Sequence, residues 1–255
     1  MSVATYNFAA ALARYAERTG HPFCRPAVVL FDMDGILYDS MPGHAQAWKK
    51  MCDTAGIDCT PEEFFAYEGR TGADTIDILI RRQFGRPATD AEKHDLYQVK
   101  SRNFKTMGLP PMMTGAPRAV AAAEALAPCV IVTGSGQLSI LDRLDTDYPG
   151  AFPAERRVTA FDVTYGKPDP EPYLKGMAKV GARPEQSIAI DNAPLGVEAA
   201  VRSGAFTIGV TTGPLPDGAL EGAGADIVVP SMDACADILA AFGRLGHDSE
   251  AGRLD

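Results

Sequence analysis

The chain has 255 residues, 46% hydrophobic and 22% charged, which is ordinary for a soluble globular protein and allows one large domain or a core with a small second one. Its net charge of −9, with no visible basic patch, argues against nucleic acid or an anionic membrane as partner. No apolar run reaches membrane-spanning length, and the first cationic residue is Arg14, so a signal peptide's basic start is missing and a cytoplasmic location is expected.

In chain order, Phe8, Leu12 and Tyr15 are spaced i, i+4, i+7, which predicts a short amphipathic helix ended by Gly20, Pro22 and Pro26. Residues 1–26 are read as an extension that docks on the core or makes an oligomer contact, with a monomer expected. Val28, Val29, Leu30 and Phe31 then form an apolar run typical of a strand buried on both faces. Asp32 and Asp34 follow at i and i+2, so they share one face at the carboxyl end of that strand, and Gly35 permits a sharp turn. Two such carboxylates repel unless a hard cation or a shared proton relieves them.

From residue 41 to about 112 the pattern is helical. Ala45, Trp48, Met51 and Cys52 make one apolar face, and Phe64, Ile76, Leu79, Ile80, Leu96 and Phe104 supply others. An all-helical insertion of this kind predicts a small cap over residues 39–112, entered and left through Gly/Pro-containing stretches at 38–42 and 108–114. The remainder alternates: helix 116–126, strand 129–133, helix 137–144, strand 158–161, helix 170–180, strand 187–191, helix 194–203, strand 206–211, strand 226–229 and helix 232–242. The implied fold is α/β, a doubly wound parallel sheet built from residues 27–38 and 113–244. Residues 245–255 read as a frayed polar tail. The five cysteines, Cys24, Cys52, Cys59, Cys129 and Cys235, are scattered without a C-x-x-C pair and read as free buried thiols.

Three later strand ends carry polar residues that would converge on Asp32 and Asp34. Thr133 opens Thr-Gly-Ser-Gly, whose hydroxyl and loop amides, at Gly134 and Ser135, suit a phosphate. Lys167 lies in Tyr-Gly-Lys-Pro-Asp-Pro, and Asp191-Asn192 supplies hard oxygens. Each alone is compatible with a plain turn, a surface lysine or a helix cap. Together and in order, with the Asp-Met-Asp-Gly run at 32–35, they resemble the motifs of the haloacid dehalogenase (HAD) superfamily. The stretch from Asp39 to Trp48 is similar to its β-phosphoglucomutase-like branch. The resemblance implies a Rossmann-like core with a helical cap inserted after the first strand. It also implies that Asp32 is the nucleophile forming an aspartyl phosphate and Asp34 the general acid–base. Thr133 and Lys167 would hold phosphoryl oxygens. Mg²⁺ would be held by Asp32, the Asp34 carbonyl, Asp191 and Asn192, the last standing where the family often has a second acid.

The cap should select the substrate. His44 stands where the mutase branch has a histidine that couples cap position to the acid–base Asp, although a helix-surface histidine is equally compatible. In the loop from Tyr67 to Gly72, Glu68 and Gly72 occupy places where sugar-phosphate mutases carry basic residues. Glu68 therefore fits better as a Mg²⁺ ligand, and the Glu-Gly-Arg-Thr-Gly stretch with Arg70, His44 and Lys100 resembles HAD-type inorganic pyrophosphatases. A structural account is also open, with Glu68 paired to Arg70 at the surface and Thr71 capping with Asp74. The expected activity is Mg²⁺-dependent hydrolysis of a small phosphorylated substrate, inorganic pyrophosphate first. A sugar-phosphate phosphatase or β-phosphoglucomutase is the alternative, and a non-catalytic HAD scaffold the second.

Overall fold

A computed structural model describes residues 7–23, 25–136 and 138–251. Its strands are β1 (Val28–Phe31), β2 (Cys129–Val132), β3 (Arg157–Val158), β4 (Ser187–Asp191), β5 (Phe206–Val210) and β6 (Ile227–Val229). They form one parallel sheet in the order β3-β2-β1-β4-β5-β6. Val28 to Phe31 are wholly buried because helices cover both faces. Alternate side chains divide between two layers. Val29 and Phe31 pack with Ala119, Ile238 and Leu239, from α6 (Ala116–Glu124) and α12 (Met232–Ala251). Val28 and Leu30 pack with Tyr173, Met177 and Ala199, from α9 (Glu171–Ala178) and α10 (Pro194–Arg202).

The chain winds outward from β1 to β3 and then jumps back to β4. The carboxyl ends of β1 and β4 therefore flank the crevice where the order reverses, the place where such sheets bind ligands. The Asp32 N–H donates to Ile190 O at 3.0 Å, so the ladder extends to the first acid.

Between β1 and α6 the chain builds α2 (Met41–Ala55), α3 (Glu63–Ala66), α4 (Gly72–Phe84) and α5 (Asp90–Lys105). These have an apolar cluster of their own, with Trp48, Met51, Phe64, Ile76, Leu79 and Ile80 buried in it. The two crossings run side by side: Asp39 N–H donates to Pro111 O (3.0 Å) and Met113 N–H to Leu37 O (2.8 Å).

The amphipathic helix expected near the start is α1 (Phe8–Thr19), capped by Asn7 and ended by Gly20 in the left-handed region. It lies against the core. Phe8 meets the rings of Phe206 and Phe242, and the Tyr15 hydroxyl donates to Gly204 O at 3.0 Å. Arg18 reaches the buried Asp226 carboxylate at 2.6 Å, and Arg14 donates to the Asp226 carbonyl.

Three expectations need correction. The strand expected at 158–161 stops at Val158, because the Asp162 carboxylate accepts from both the N–H and the hydroxyl of Thr159 and bends the chain into a turn. The helix expected over 137–144 is two short helices, α7 (Leu138–Leu141) and α8 (Leu144–Asp147). They part where Arg143 N–H bonds back only three residues, to Ile140 O. The tail is helical to Ala251, since extending a helix already anchored by Ile238, Leu239 and Phe242 costs little. Residues 1–6 of the expected extension, Cys24, Gln137 and residues 252–255 of the tail lie outside the described residues.

Arg18→Ala would leave Asp226 buried without its cation. We expect a loss of about 2–4 kcal/mol in urea unfolding, the partial exposure of Arg18 placing it below the full cost of orphaning a buried charge. A loss under ~0.5 kcal/mol would contradict this account of how α1 is held.

Candidate active site

The first acid loop is shaped by Gly35. Its φ of +77° suits glycine, and a Cβ there would stand 2.2 Å from Asn192 Nδ2. The loops after β1 and β4 thus touch, bringing Asp32, Asp34, Asp191 and Asn192 together, all buried. Lys167 is 1% exposed and stands between two of them, its ammonium 2.5 Å from Asp32 Oδ1 and 2.7 Å from Asp191 Oδ2. Burial alone would discharge this lysine, but Asp191 and Asp32 overcome that and hold its pKa above the ordinary value. For Asp32, burial and the charges of Asp191 and Asp34 push the carboxyl up against the pull of Lys167. The Tyr173 hydroxyl donates to Asp191 Oδ2 at 2.6 Å. Beside them, Thr133 Oγ1 accepts the Ser135 N–H at 3.0 Å, which folds the loop after β2.

Asp34 is held from the cap side. Ser40 Oγ donates to Asp34 Oδ1 at 2.5 Å, and His44 Nε2 lies 3.0 Å from the same oxygen. Lys100 Nζ is 2.6 Å from His44 Nδ1. An ammonium can only donate, so Nδ1 accepts and the imidazole proton sits on Nε2, facing the carboxylate. Burial, with Lys100 adding to it, keeps the His44 pKa low and the ring neutral. Burial works against ionised Asp34, yet His44, Ser40 and Lys100 outweigh it and lower its pKa. Burial brings Lys100 down to about 7, where it lies 5.2–5.8 Å from the rings of Trp48, Tyr97 and Phe104.

The cap loop closes over this pair of clusters. Gly69 and Arg70 turn their carbonyls onto Gly134, where a Cβ would meet them at 2.5 and 2.8 Å. Glu68 is 6% exposed, and its Oε1 accepts from Asn192 Nδ2 at 2.9 Å. Burial first, then Asp32, Asp191 and Asp34, raise the Glu68 pKa well above the carboxylate range. The Tyr97 ring lies on Gly72, where a Cβ would come within 2.2 Å of its carbons, and its hydroxyl accepts the Gly136 N–H at 3.2 Å. The chamber left inside offers about 60 Å³ to the centres of water molecules.

Of the residues singled out in the sequence, Asp32, Asp34, His44, Glu68, Arg70, Lys100, Thr133, Gly134 and Ser135 line this one chamber. Lys167, Asp191 and Asn192 join it through the bonds above. His44 is buried and not on a helix surface. Glu68 faces Asn192, although Thr71 does cap α4, its Oγ1 accepting the Asp74 N–H. Sequence reading passed over Ser40, Tyr97 and Tyr173. All three are recognisable only from the groups they reach.

The haloacid dehalogenase-like hydrolase family matches residues 26–204. The chain belongs to that family. Hexitol phosphatase A of Escherichia coli is 32% identical over 187 residues, 71% of this chain and 81% of that protein. Beta-phosphoglucomutase of Bacillus subtilis is 26% identical, covering 72% of this chain and 83% of that one. Among solved structures, a candidate beta-phosphoglucomutase of Bacteroides vulgatus superposes with a TM-score of 0.87 at 42% identity, covering 92% of this chain and 97% of that one. These place the chain in the β-phosphoglucomutase-like branch of HAD phosphatases.

Two outcomes test this geometry. Gly134→Ala puts a methyl group against two backbone carbonyls, so the cap must stand off; kcat/KM for phosphate-releasing substrates should fall about 10²-fold with the melting temperature little changed. Unchanged kcat/KM would mean that the closed contact does not matter to turnover. The second concerns Lys100, lowered from the ordinary 10.5 to about 7 in the folded chain. Between those values the unfolded chain binds more protons, so its contribution to stability rises with pH across the window. Lys100→Met should therefore gain most in melting temperature at pH 6 and lose that advantage towards pH 10. An equal shift at both pH values would contradict the buried-charge account.

Proposed function

We propose that this HAD phosphatase is a Mg²⁺-dependent hydrolase working through an aspartyl phosphate on Asp32, and that its cap favours inorganic pyrophosphate. The observation that carries the substrate reading is Glu68, a buried carboxylate brought by the cap to Asn192 beside three aspartates.

A divalent cation fits the donor set. Asn192 Oδ1 is a buried acceptor with no hydrogen-bond partner among the described residues, and the acids around it, once ionised, would carry more negative charge than Lys167 offsets. Among the described residues no three His, Cys, Asp or Glu side chains converge as a metal cluster; an amide belongs to this set, and Lys167 stands between Asp32 and Asp191. Mg²⁺ held by Asp32, the Asp34 carbonyl, Asp191, Asn192 and Glu68 would offset the charge of nucleophile and phosphoryl group.

The chain's own groups then perform the transfer. An Asp32 oxygen attacks phosphorus and the bond to the leaving phosphate breaks, with Lys167 and Thr133 beside the phosphoryl oxygens. Asp34 gives the departing oxygen its proton, then takes one from the water that attacks the aspartyl phosphate and frees Asp32. Asp34 is ionised in the resting site, so that first proton must be delivered. The chain from Lys100 through His44 to Asp34 is a path for it, and the negative charge of a bound substrate would push the carboxyl upward, towards accepting it.

The chamber is small: about 60 Å³, room for about four water centres, which suits a compact substrate better than a hexose held wholly inside. Tyr97 covers Gly72, and no basic side chain stands at 68 or 72 to grip the second phosphate of a hexose bisphosphate, which disfavours mutase activity. The comparisons favour the second reading, a sugar-phosphate phosphatase, over pyrophosphate. Hexitol phosphatase A is named for a phosphorylated sugar alcohol, and a groove of about 600 Å³ lies beyond Tyr97, lined by Lys93, His94, Gln98, Lys105 and Phe161. Were Tyr97 to swing aside, a sugar phosphate could extend into that groove.

Phosphate release with Mg²⁺ should show kcat/KM for pyrophosphate at least about tenfold above hexose, hexitol and β-glucose 1-phosphates, a margin of about 1.4 kcal/mol in transition-state binding. Asp32→Asn should abolish turnover with the fold retained, and Glu68→Lys should cost pyrophosphate about 10²-fold. A sugar phosphate preferred by the wild type, with Glu68→Lys neutral, would establish the second reading. No release from any substrate would favour a non-catalytic scaffold.

A further inference from the structure

The cap joins the core through two crossings, and both rest on one short stretch of the core. They pair with each other through Asp39 N–H to Pro111 O, Met113 N–H to Leu37 O and an antiparallel bridge between Tyr38 and Met112. A two-stranded ribbon is marginal by itself. This one is completed by the two residues that flank α8. Tyr148, buried at the end of that helix, donates its hydroxyl to Leu37 O at 2.9 Å and meets the Tyr38 ring edge-on at 6.0 Å. Arg143, at the helix's start, donates from Nη1 to Pro110 O at 2.6 Å. Its guanidinium stands 5.0 Å from the centre of the wholly buried Tyr38 ring, and its Nη2 lies 2.6 Å from the Asp147 carboxylate.

One guanidinium therefore touches both crossings at once, a ring of the first and a backbone carbonyl of the second. The planar fork suits this, because it donates along two directions in its plane and offers a flat face to an aromatic ring, which an ammonium does not. What the cap brings to the site hangs from these crossings. Ser40 and His44 follow directly after the first, and α5, with Tyr97 and Lys100, leads into the second. Tyr38 also closes the turn that carries Asp34, its carbonyl accepting the Gly35 N–H at 2.8 Å. We propose that Arg143 is a positioning residue for the reaction, a clamp that fixes the root of the hinge so that the cap's groups meet the core in register. It acts through Pro110 and Tyr38 and touches no reacting atom. Without it the crossings keep only each other and Tyr148, and the closed cap becomes a smaller fraction of the population. Substrate must then supply part of the closing free energy, which raises KM and leaves kcat near its original value. The kinetic consequence rests on the proposed hydrolase activity, whichever phosphate ester or anhydride is cleaved; the clamp itself does not.

Trp48, the chain's only tryptophan, lines the chamber from the cap and is buried in the closed arrangement, so it reports closure without turnover. Arg143→Lys keeps a cation for Asp147 and gives up the fork. In the full chain carrying it, acrylamide should quench Trp48 about twofold more strongly than in the wild type. For pyrophosphate or glucose 6-phosphate, whichever is hydrolysed, KM should rise about tenfold with kcat within about threefold. Asp147→Asn breaks the same ion pair but leaves the fork in place, and it should resemble the wild type in both readouts. Unchanged quenching and KM in Arg143→Lys, or an equal change in Asp147→Asn, would overturn the proposal and leave Arg143 as a support of α8 alone. If neither compound is hydrolysed, the hydrolase reading fails, and the quenching comparison decides the clamp by itself.

Discussion

The ammonium of Lys167 between Asp32 and Asp191 is the contact on which the core of this site depends. The strand order places two carboxylates at the ends of β1 and β4, where helices on both faces leave almost no water. Burying each charge costs several kcal/mol, and a single lysine, itself 1% exposed, offsets two of them. That balance is incomplete. Asp32 and Glu68 both carry raised pKa values, because ionising every acid here would leave more negative charge than one lysine offsets; a cationic ligand would favour their ionised forms. Such a balance contributes little to stability and much to chemistry, because electrostatic interactions in a dry site are strong and their geometry is set before substrate arrives.

The cap contributes by backbone as much as by side chain. Carbonyls of Gly69 and Arg70 rest on Gly134, the Tyr97 hydroxyl takes the Gly136 N–H, and Glu68 takes the Asn192 amide. Each contact crosses from cap to core, and each lands on a loop that follows a strand of the sheet. The contacts that hold the cap loop to the core are therefore the same ones that complete the site, and glycines stand at several of them because a Cβ would meet the facing atoms.

Much of this was legible in the sequence because a buried parallel strand leaves a simple trace, a short apolar run ending in a residue of special chemistry. β1, β2 and β4 are such runs, and Asp32, Thr133 and Asp191 terminate them. β3 was overestimated because Thr159 and Asp162 form a side-chain turn inside a stretch of suitable strand residues. Tyr97 escaped notice for a different reason. A tyrosine on an amphipathic helix ordinarily belongs to the core, and its place over the chamber follows from the Cβ that Gly72 lacks, a relation between residues 25 apart that no periodicity records. Ser40 and Tyr173 likewise matter only through the carboxylates they reach.

The position of the acids also bears on how substrate choice is divided between the two parts of the molecule. The family resemblance leads one to expect a second acid in the core; this chain has Asn192 there, and a carboxyl group reaches it from the cap through Glu68. Moving one charge from a rigid strand end to a loop makes the electrostatics of the site conditional on closure. With the cap away, the core presents one acid fewer and a weaker pull on any cation. With the cap shut, the added carboxylate repels further anionic groups unless a cation lies between. Under the proposed reading, a substrate that brings its own chelated metal resolves that conflict, whereas an uncharged sugar ring does not need it resolved. Under that reading, the one hydrogen bond of 2.9 Å between Asn192 and Glu68 would couple metal, cap position and substrate charge.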